Sequence, residues 1–232
     1  MSRPMSDLVR RYIDEAVGFV PGRKFGVEAR RLRVARHLLS CGIAVAVLNE
    51  LRLAEESDTA YRCVNVHNPR CPLTFDRTQG RWSCDPLFED HPVWSINWAG
   101  ASLICEHLGG RLPRAAEWEC FASNNEPTRT YPWGNAPPTH LLANYDEHYG
   151  GTTPVGSFPP SELGLCDLAG NLSEWCQDPC GSAPFERVAK GGAWSKDARW
   201  LAIAVNRLKW ERLGTTTIGL RPVWDDDRGP GP

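Results

Sequence analysis

From residue 123 to residue 190 the chain shows almost no helical or strand periodicity, and so long a stretch without regular structure is unusual inside a compact domain. A fold containing it has to pin a long loop by other means, through buried tryptophans or a bound ion. The best placed pin is Gly164-Leu-Cys-Asp-Leu-Ala-Gly-Asn-Leu-Ser-Glu-Trp175. Two carboxylates, Asp167 and Glu174, flank a Gly-Asn turn whose main-chain carbonyls can converge on a point. Hard cations such as calcium take that mixture of carboxylate and carbonyl oxygens. A buried turn in which both carboxylates only cap backbone N–H groups accounts for the same residues. On the residues alone the two readings carry equal weight.

The remaining composition bounds the class. A chain of 232 residues suits one large domain, with or without a short extension. Ten tryptophans within 41% hydrophobic residues supply a core, while 21 glycines and 19 prolines predict much loop. A net charge of −2 gives no global field for nucleic acid, and the Arg30-Arg31-Leu-Arg33 cluster reads as solvated surface. The longest apolar run, Gly42 to Leu48, is far below the roughly 20 residues that span a bilayer. Met1 to Ser6 lead into a charged amphipathic segment, not an apolar leader. The expectation is a cytoplasmic protein without nucleic-acid or membrane partners. Nine cysteines, an odd number with no export signal, read mostly as small buried hydrophobes.

Along the chain, residues 6–18 predict a helix capped by Ser6 and ended by Pro21-Gly22. Residues 31–48 contain β-prone runs, and 45–53 a small helix. Residues 55–90 are broken by Asn68-Pro69, Cys71-Pro72, Gln79-Gly80 and Asp85-Pro86. Two clear helices run from Trp98 to Leu108, stopped by Gly109-Gly110, and from Ala115 to Ala122. Short strands are expected at 187–190, 201–205 and 217–223. The division expected is a helical extension over 1–20, a domain over 21–224 and a disordered tail over 225–232.

Five stretches in one order carry a family resemblance. The Gly164–Trp175 segment is similar to the GLyDmxGNVwEW signature of the formylglycine-generating enzyme (sulfatase-modifying factor) family. His91-Pro-Val-Trp-Ser-Ile-Asn-Trp98 resembles its HPVxxVsW, Leu108 to Glu119 its LGxRLPTEAEWE, and Tyr131-Pro-Trp-Gly-Asn135 its YPWGN. Lys190-Gly-Gly-Ala-Trp194 with Ile218-Gly-Leu-Arg221 resembles the closing RGGSW…GFR. The resemblance implies an α+β, loop-rich, C-type-lectin-like fold with small antiparallel sheets and two main helices. It implies one structural calcium at Asp167 and Glu174 (side chains) with the carbonyls of Gly170 and Leu172. A second involves Asn144 and the Tyr145 carbonyl, where a mere turn-fixing role for Asn144 is as well supported.

The family's catalytic centre is a different matter. Its formylglycine generators bind copper(I) through two cysteine thiolates, the soft ligands that ion selects. The matching positions here hold Lys196 and Leu201, Ala193 replaces the serine of the GGSW motif, and Ser173 replaces the first tryptophan of WEW. Formylglycine formation by that mechanism is therefore not expected. Nor is the three-histidine iron of the family's sulfoxide synthases, since no histidine precedes His37. A zinc site from Cys63, Cys71, Cys84 and His67 lacks paired knuckles. Cys176 and Cys180 are better redox candidates, yet a structural role fits them more simply.

What remains is a polar set around the family's active-site segment. Lys196 with Asp197 can form a proton-transfer pair if desolvated, with Ser173 beside them. Arg199 and Arg207 can grip a carboxylate or phosphate. Ser195 and Asn206 add hydrogen bonds, and Trp194 and Trp210 walls. The alternative is a solvated charged loop, with Arg207 bridging strands. The leading reading is a bacterial tailoring enzyme, oxidoreductase-like, for a small or peptidic substrate. The alternatives are a non-catalytic ligand- or protein-binding module and a pseudoenzyme subunit with a protein partner.

Overall fold

The computed structural model describes residues 5–22, 25–28, 30–53, 63–180, 183–212 and 214–226. Helix α1 (Asp7–Asp14) follows Ser6, which stands at the N-cap although its hydroxyl makes no capping bond. It buries Val9 and Tyr12, and the Tyr12 hydroxyl donates to the His37 carbonyl at 3.0 Å. Helix α2 (Cys41–Glu50) starts earlier than the pattern at 45–53 suggests, because the Ser40 side chain accepts the Ile43 N–H. The apolar run at 42–48 is thus helix and not strand, an ambiguity inherent in short runs buried on all sides. Helix α3 (Trp98–His107) is capped by Asn97, whose side chain accepts from the Gly100 N–H. Gly109, at φ +73°, follows its end in the left-handed region. Helix α4 (Ala115–Ala122) starts where the Glu117 carboxylate accepts the Arg114 N–H at 2.8 Å.

Three small sheets complete the fold. β1 (Val17–Phe19), β2 (Leu32–Val34) and β9 (Val223–Asp225) form an antiparallel sheet with β2 central. Residues 5–19 of the expected extension therefore share a sheet and a core with the domain instead of standing apart from it, and residues 1–4 lie outside the described residues. Asp225 also belongs to this sheet, and residues 227–232 of the expected tail lie outside the described residues. β3 (Leu73–Asp76) and β4 (Arg81–Cys84) form a hairpin. The third sheet has the order β7-β6-β5-β8, built from β5 (Ser173–Cys180), β6 (Ala183–Lys190), β7 (Arg207–Trp210) and β8 (Ile218–Gly219). Its β5–β8 pair is parallel, and the rest antiparallel.

Two expectations change. β5 starts inside the stretch read as loop, and the strand expected over 201–205 is a 3-10 turn at Ala198–Leu201, with the strand displaced to 207–210. Register then joins two of the five stretches, bringing Gly164–Trp175 against both halves of the closing one. Glu174 of β5 pairs with Lys190 of β6 on one side and with Gly219 of β8 on the other. The main core packs Leu38, Leu39, Leu48, Ile96, Ile104 and Trp175 between α2, α3 and the β5 sheet. A second cluster gathers Trp118, Phe121, Leu168 and Cys176. Each such side chain contributes about 1.5–3 kcal/mol by leaving water, which is how a loop-rich chain holds together.

Candidate functional site

The loop's pin turns out to be a guanidinium. Arg221 is fully buried and Glu174 is 1% exposed. The Arg221 Nε donates to both Glu174 oxygens at 3.0 Å, and a terminal nitrogen donates to Oε1 at 2.8 Å. The other nitrogen donates to the carbonyls of Ala35 and Arg36 at 2.9 Å, while the Cys166 carbonyl accepts at 2.7 Å. Trp118 Nε1–H donates to Glu174 Oε2 at 2.7 Å. Both oxygens of this carboxylate are thus engaged, and Glu174 drops out of the calcium set that resemblance assigns it.

Asp167 and Asn144 differ. Asp167 sits at φ +56° with one oxygen accepting the Gly156 N–H at 2.6 Å. Its Oδ1 is buried without a partner, and so is Oδ1 of Asn144. Burial pushes the Asp167 carboxyl up to about 6, against the Gly156 hydrogen bond and the charge of Arg221 and with the help of Glu174. Orphaned buried oxygens are costly unless something supplies positive charge or a hydrogen, so these two fit a hard cation. Gly170 is required beside them. At φ +79°, an added Cβ there would stand 2.3 Å from the Asn144 carbonyl oxygen. Asn171 fastens the same turn, donating its N–H to the Asn144 carbonyl and exchanging two bonds with the Thr153 backbone. The Tyr145 carbonyl accepts the His148 N–H. Leu172 is buried in the main core.

The polar set of the C-terminal segment separates into three environments. Ser173 is fully buried, donating to the Gly192 carbonyl and accepting from Arg207, both at 2.6 Å. Arg207 is itself buried beneath Trp200, 5.5 Å from the ring centroid, and burial lowers its pKa. These two residues bridge strands and reach no open space. Asn206 accepts from Lys190, whose buried ammonium also holds Glu119 at 2.7 Å. Asp197 caps the 3-10 turn and pairs with Arg199 through two side-chain bonds of 2.9–3.0 Å. That pairing holds its carboxyl below the usual range, and the Arg199 side chain is 87% exposed. A desolvated Lys196–Asp197 couple is therefore not what the geometry provides. Lys196 and Ser195 are half-buried, and Trp210 is exposed on edge strand β7. Leu201, at the second family thiolate position, is fully buried. An ammonium and an isobutyl group offer copper(I) no thiolate, so the residues present do not fit that ion.

Trp194 stands apart from these. Its ring lines a cleft of about 710 Å³, within the usual range for small-ligand sites. The other aromatic walls are Phe88, Trp94 and Tyr149. Each tryptophan is fixed by its indole N–H, Trp194 to the Thr216 carbonyl at 3.1 Å and Trp94 to the Arg70 carbonyl at 2.5 Å. Phe88 meets Trp94 edge-on at 5.2 Å, and the Tyr149 hydroxyl donates to the His140 carbonyl at 2.7 Å. Arg70 and Asp85 supply charge at the cleft, and the Cys71 thiol, raised by burial, lies in its wall. Of these residues sequence reasoning placed only Trp194 in a site. Trp94 lies within the His91–Trp98 motif, which was the available signal.

Among the described residues no group of three or more His, Cys, Asp or Glu is placed to hold a metal ion. The cysteines with described side chains are free thiols, Cys176 among them, and Cys180 lies outside that set. No helix among the described residues is long and apolar enough to cross a membrane.

A family model described as the sulfatase-modifying factor enzyme 1-like domain matches residues 58–226. The chain is 38% identical over 135 residues to the serine/threonine-protein kinase pkn1 of Chlamydia pneumoniae, a match covering 51% of this chain and 21% of the kinase. It is 30% identical over 203 residues to the hercynine oxygenase of Mycolicibacterium thermoresistibile, covering 75% of this chain and 46% of the oxygenase. The chain thus spans about a fifth of the one and about half of the other. Among solved structures, Treponema denticola variable protein 1 superposes with a TM-score of 0.64 at 16% identity, covering 91% of this chain and 95% of that one. The shared fold is α+β and C-type-lectin-like.

Proposed function

The chain belongs to the sulfatase-modifying factor family, and on that premise we propose that it is a tailoring member that binds a small or peptidic substrate in the aromatic cleft and does not use a copper dithiolate. One observation carries the reading. Trp194, the aromatic of the Lys190–Trp194 motif, is at once part of the family's active-site segment and a wall of the cleft. A substrate stacked on it lies beside the 193–201 stretch. Fixed rings at Trp94 and Trp194 offer stacking surface at little conformational cost. The Arg70 guanidinium, with no side-chain partner among the described residues, favours a ligand with an acidic end. Lys196, half-buried two residues from Trp194, is a cation of this segment that would hold an anionic group of the substrate.

Calcium is the structural part of the proposal. Asp167 with the carbonyls of Gly170 and Leu172 would hold one ion, and Asn144 with the Tyr145 carbonyl a second. Support comes from the orphaned Oδ1 atoms of Asp167 and Asn144. The ion would supply fixed positive charge that cross-links loops. A cytoplasmic location belongs to the same proposal.

N-Acetyl-L-phenylalanine, an aromatic body with one carboxylate, is the first probe. Calorimetric titration is expected to show saturable binding that weakens at least tenfold in Trp194→Ala and about fivefold in Arg70→Gln. Binding unaffected by both substitutions removes the cleft from the account. A second reading, a non-catalytic module for a protein partner, draws on the 58% exposure of Trp210 and the 50% exposure of Leu208 along edge strand β7. A stable hetero-complex lost in Trp210→Ser would favour it.

A further inference from the structure

A second cavity, of about 440 Å³, opens between α3, the Arg111–Leu112 segment and the far end of β5. Helix α3 buries Gly100, Ala101, Ile104 and Cys105 against the core. Trp98 and Leu103 lie off that face, only half-buried, and line the cavity together with buried Leu112. Both Trp98 and Leu103 also pack partly against the main core, and the surface they leave uncovered faces the cavity. The tryptophan is also immobilised. Its Nε1–H donates to the Cys176 carbonyl at 2.9 Å, and the Arg187 guanidinium lies 4.1 Å from its ring centroid. The result is a rigid apolar wall, formed before any ligand arrives.

Among the charged groups that line it, one carboxylate is left unmatched. Arg111 spends its guanidinium on two carboxylates, reaching Glu117 at 2.7 and 2.8 Å and Asp225 at 2.7 and 3.0 Å. That guanidinium is fully spent, and Asp225 is further held by the charges of Arg30 and Arg114. Arg187 is matched by Glu211 at 2.9 Å and brings no excess positive charge. Glu106 stands at the rim, exposed and with no side-chain partner among the described residues, beside Ser102 and Gln177. A carboxylate ligand would meet Glu106 and find the lining guanidinium of Arg111 already spent. A cation would be drawn in, and an ammonium finds an acceptor in Glu106 and further oxygens in Ser102 and Gln177.

We propose that this cavity is a binding site for a primary amine carried on a small aromatic or aliphatic body. The ammonium pairs with Glu106, and the body packs on Trp98, Leu103 and Leu112. The site shares no lining residue with the aromatic cleft, so it stands or falls independently of the function proposed above.

Phenethylamine and phenylacetate, identical in body and opposite in charge, make the test. The readout is the indole N–H resonance of Trp98, identified by its loss in Trp98→Phe. Phenethylamine is expected to move it saturably and phenylacetate is not, while the Trp194 resonance stays in place. Glu106→Gln, at an exposed helical position, is expected to weaken phenethylamine binding at least fivefold with the rest of the spectrum unchanged. The proposal is overturned if phenethylamine leaves the Trp98 resonance unmoved, if phenylacetate binds equally well, or if Glu106→Gln binds with unaltered affinity.

Discussion

Replacing Arg221 with methionine removes the pin of the central loop while keeping much of the side chain's volume. The six hydrogen bonds from Arg221 reach Glu174 and the carbonyls of Ala35, Arg36 and Cys166, tying the segment after β2, the Gly164–Trp175 loop and the C-terminal strand region together. Without the guanidinium, a carboxylate that is 1% exposed keeps, among the described residues, only the Trp118 indole as a donor. Breaking a buried pair by deleting one partner costs about 3–5 kcal/mol, because the charge left behind is uncompensated. A domain of ordinary stability, about 5–15 kcal/mol, feels that strongly. For a chain of this size the midpoint of thermal unfolding should fall by roughly 6–20 °C. The double variant Glu174→Gln with Arg221→Met removes both charges and should recover about 2 kcal/mol of the loss, since residues in one network are coupled. Urea unfolding in chelator at pH 7 measures all three proteins. A loss below about 1 kcal/mol in Arg221→Met would refute the reasoning, and so would a double variant less stable than the single.

Three further outcomes are expected. Calcium should raise the unfolding midpoint saturably over chelator-treated protein, by an increment growing as RT ln(1 + [Ca]/Kd), and Asp167→Asn should abolish most of the gain; equal midpoints with and without calcium remove the ion from the account. His37 is half-buried with Nδ1 unpartnered, and burial, with Arg221 and Arg36, holds its pKa below the usual value of 6.5. The unfolded chain therefore takes up the proton first, so its contribution to stability is complete above about pH 6.5 and is lost as pH falls below that; His37→Asn should flatten the profile there, and an unchanged slope contradicts the assignment. Gly170→Ala should cost at least about 2 kcal/mol, because it combines a left-handed backbone with a Cβ 2.3 Å from the Asn144 oxygen; near-neutral unfolding data would show that the Asn144–Gly170 approach is looser than described.

The parts of the fold that sequence reveals are those where one local rule decides. Helices α3 and α4 carry periodic apolar faces, and the Gly164–Trp175 stretch meets both halves of the closing motif, with Glu174 between Lys190 and Gly219. β5 was hidden because Ser-Glu-Trp-Cys-Gln-Asp-Pro-Cys holds two carboxylates and a proline, and becomes a strand through its neighbours on either side. The Asp197–Arg199 pair was in principle visible, since Asp before a short helical turn is a capping signal. Sequence offered Arg221 only as the end of a motif. That its guanidinium neutralises Glu174 follows from pairing across 47 positions. The cleft is the least legible feature. Phe88, Trp94, Tyr149 and Trp194 come from four separate segments, and no local spacing marks them as walls of one space.

The most direct test of the central claim is a crystal structure of the protein with N-acetyl-L-phenylalanine. The account predicts the phenyl ring between Trp94 and Trp194 and the carboxylate on Arg70, beside the 193–201 segment. A probe seated elsewhere on the molecule, with the aromatic cleft filled only by water, would contradict it.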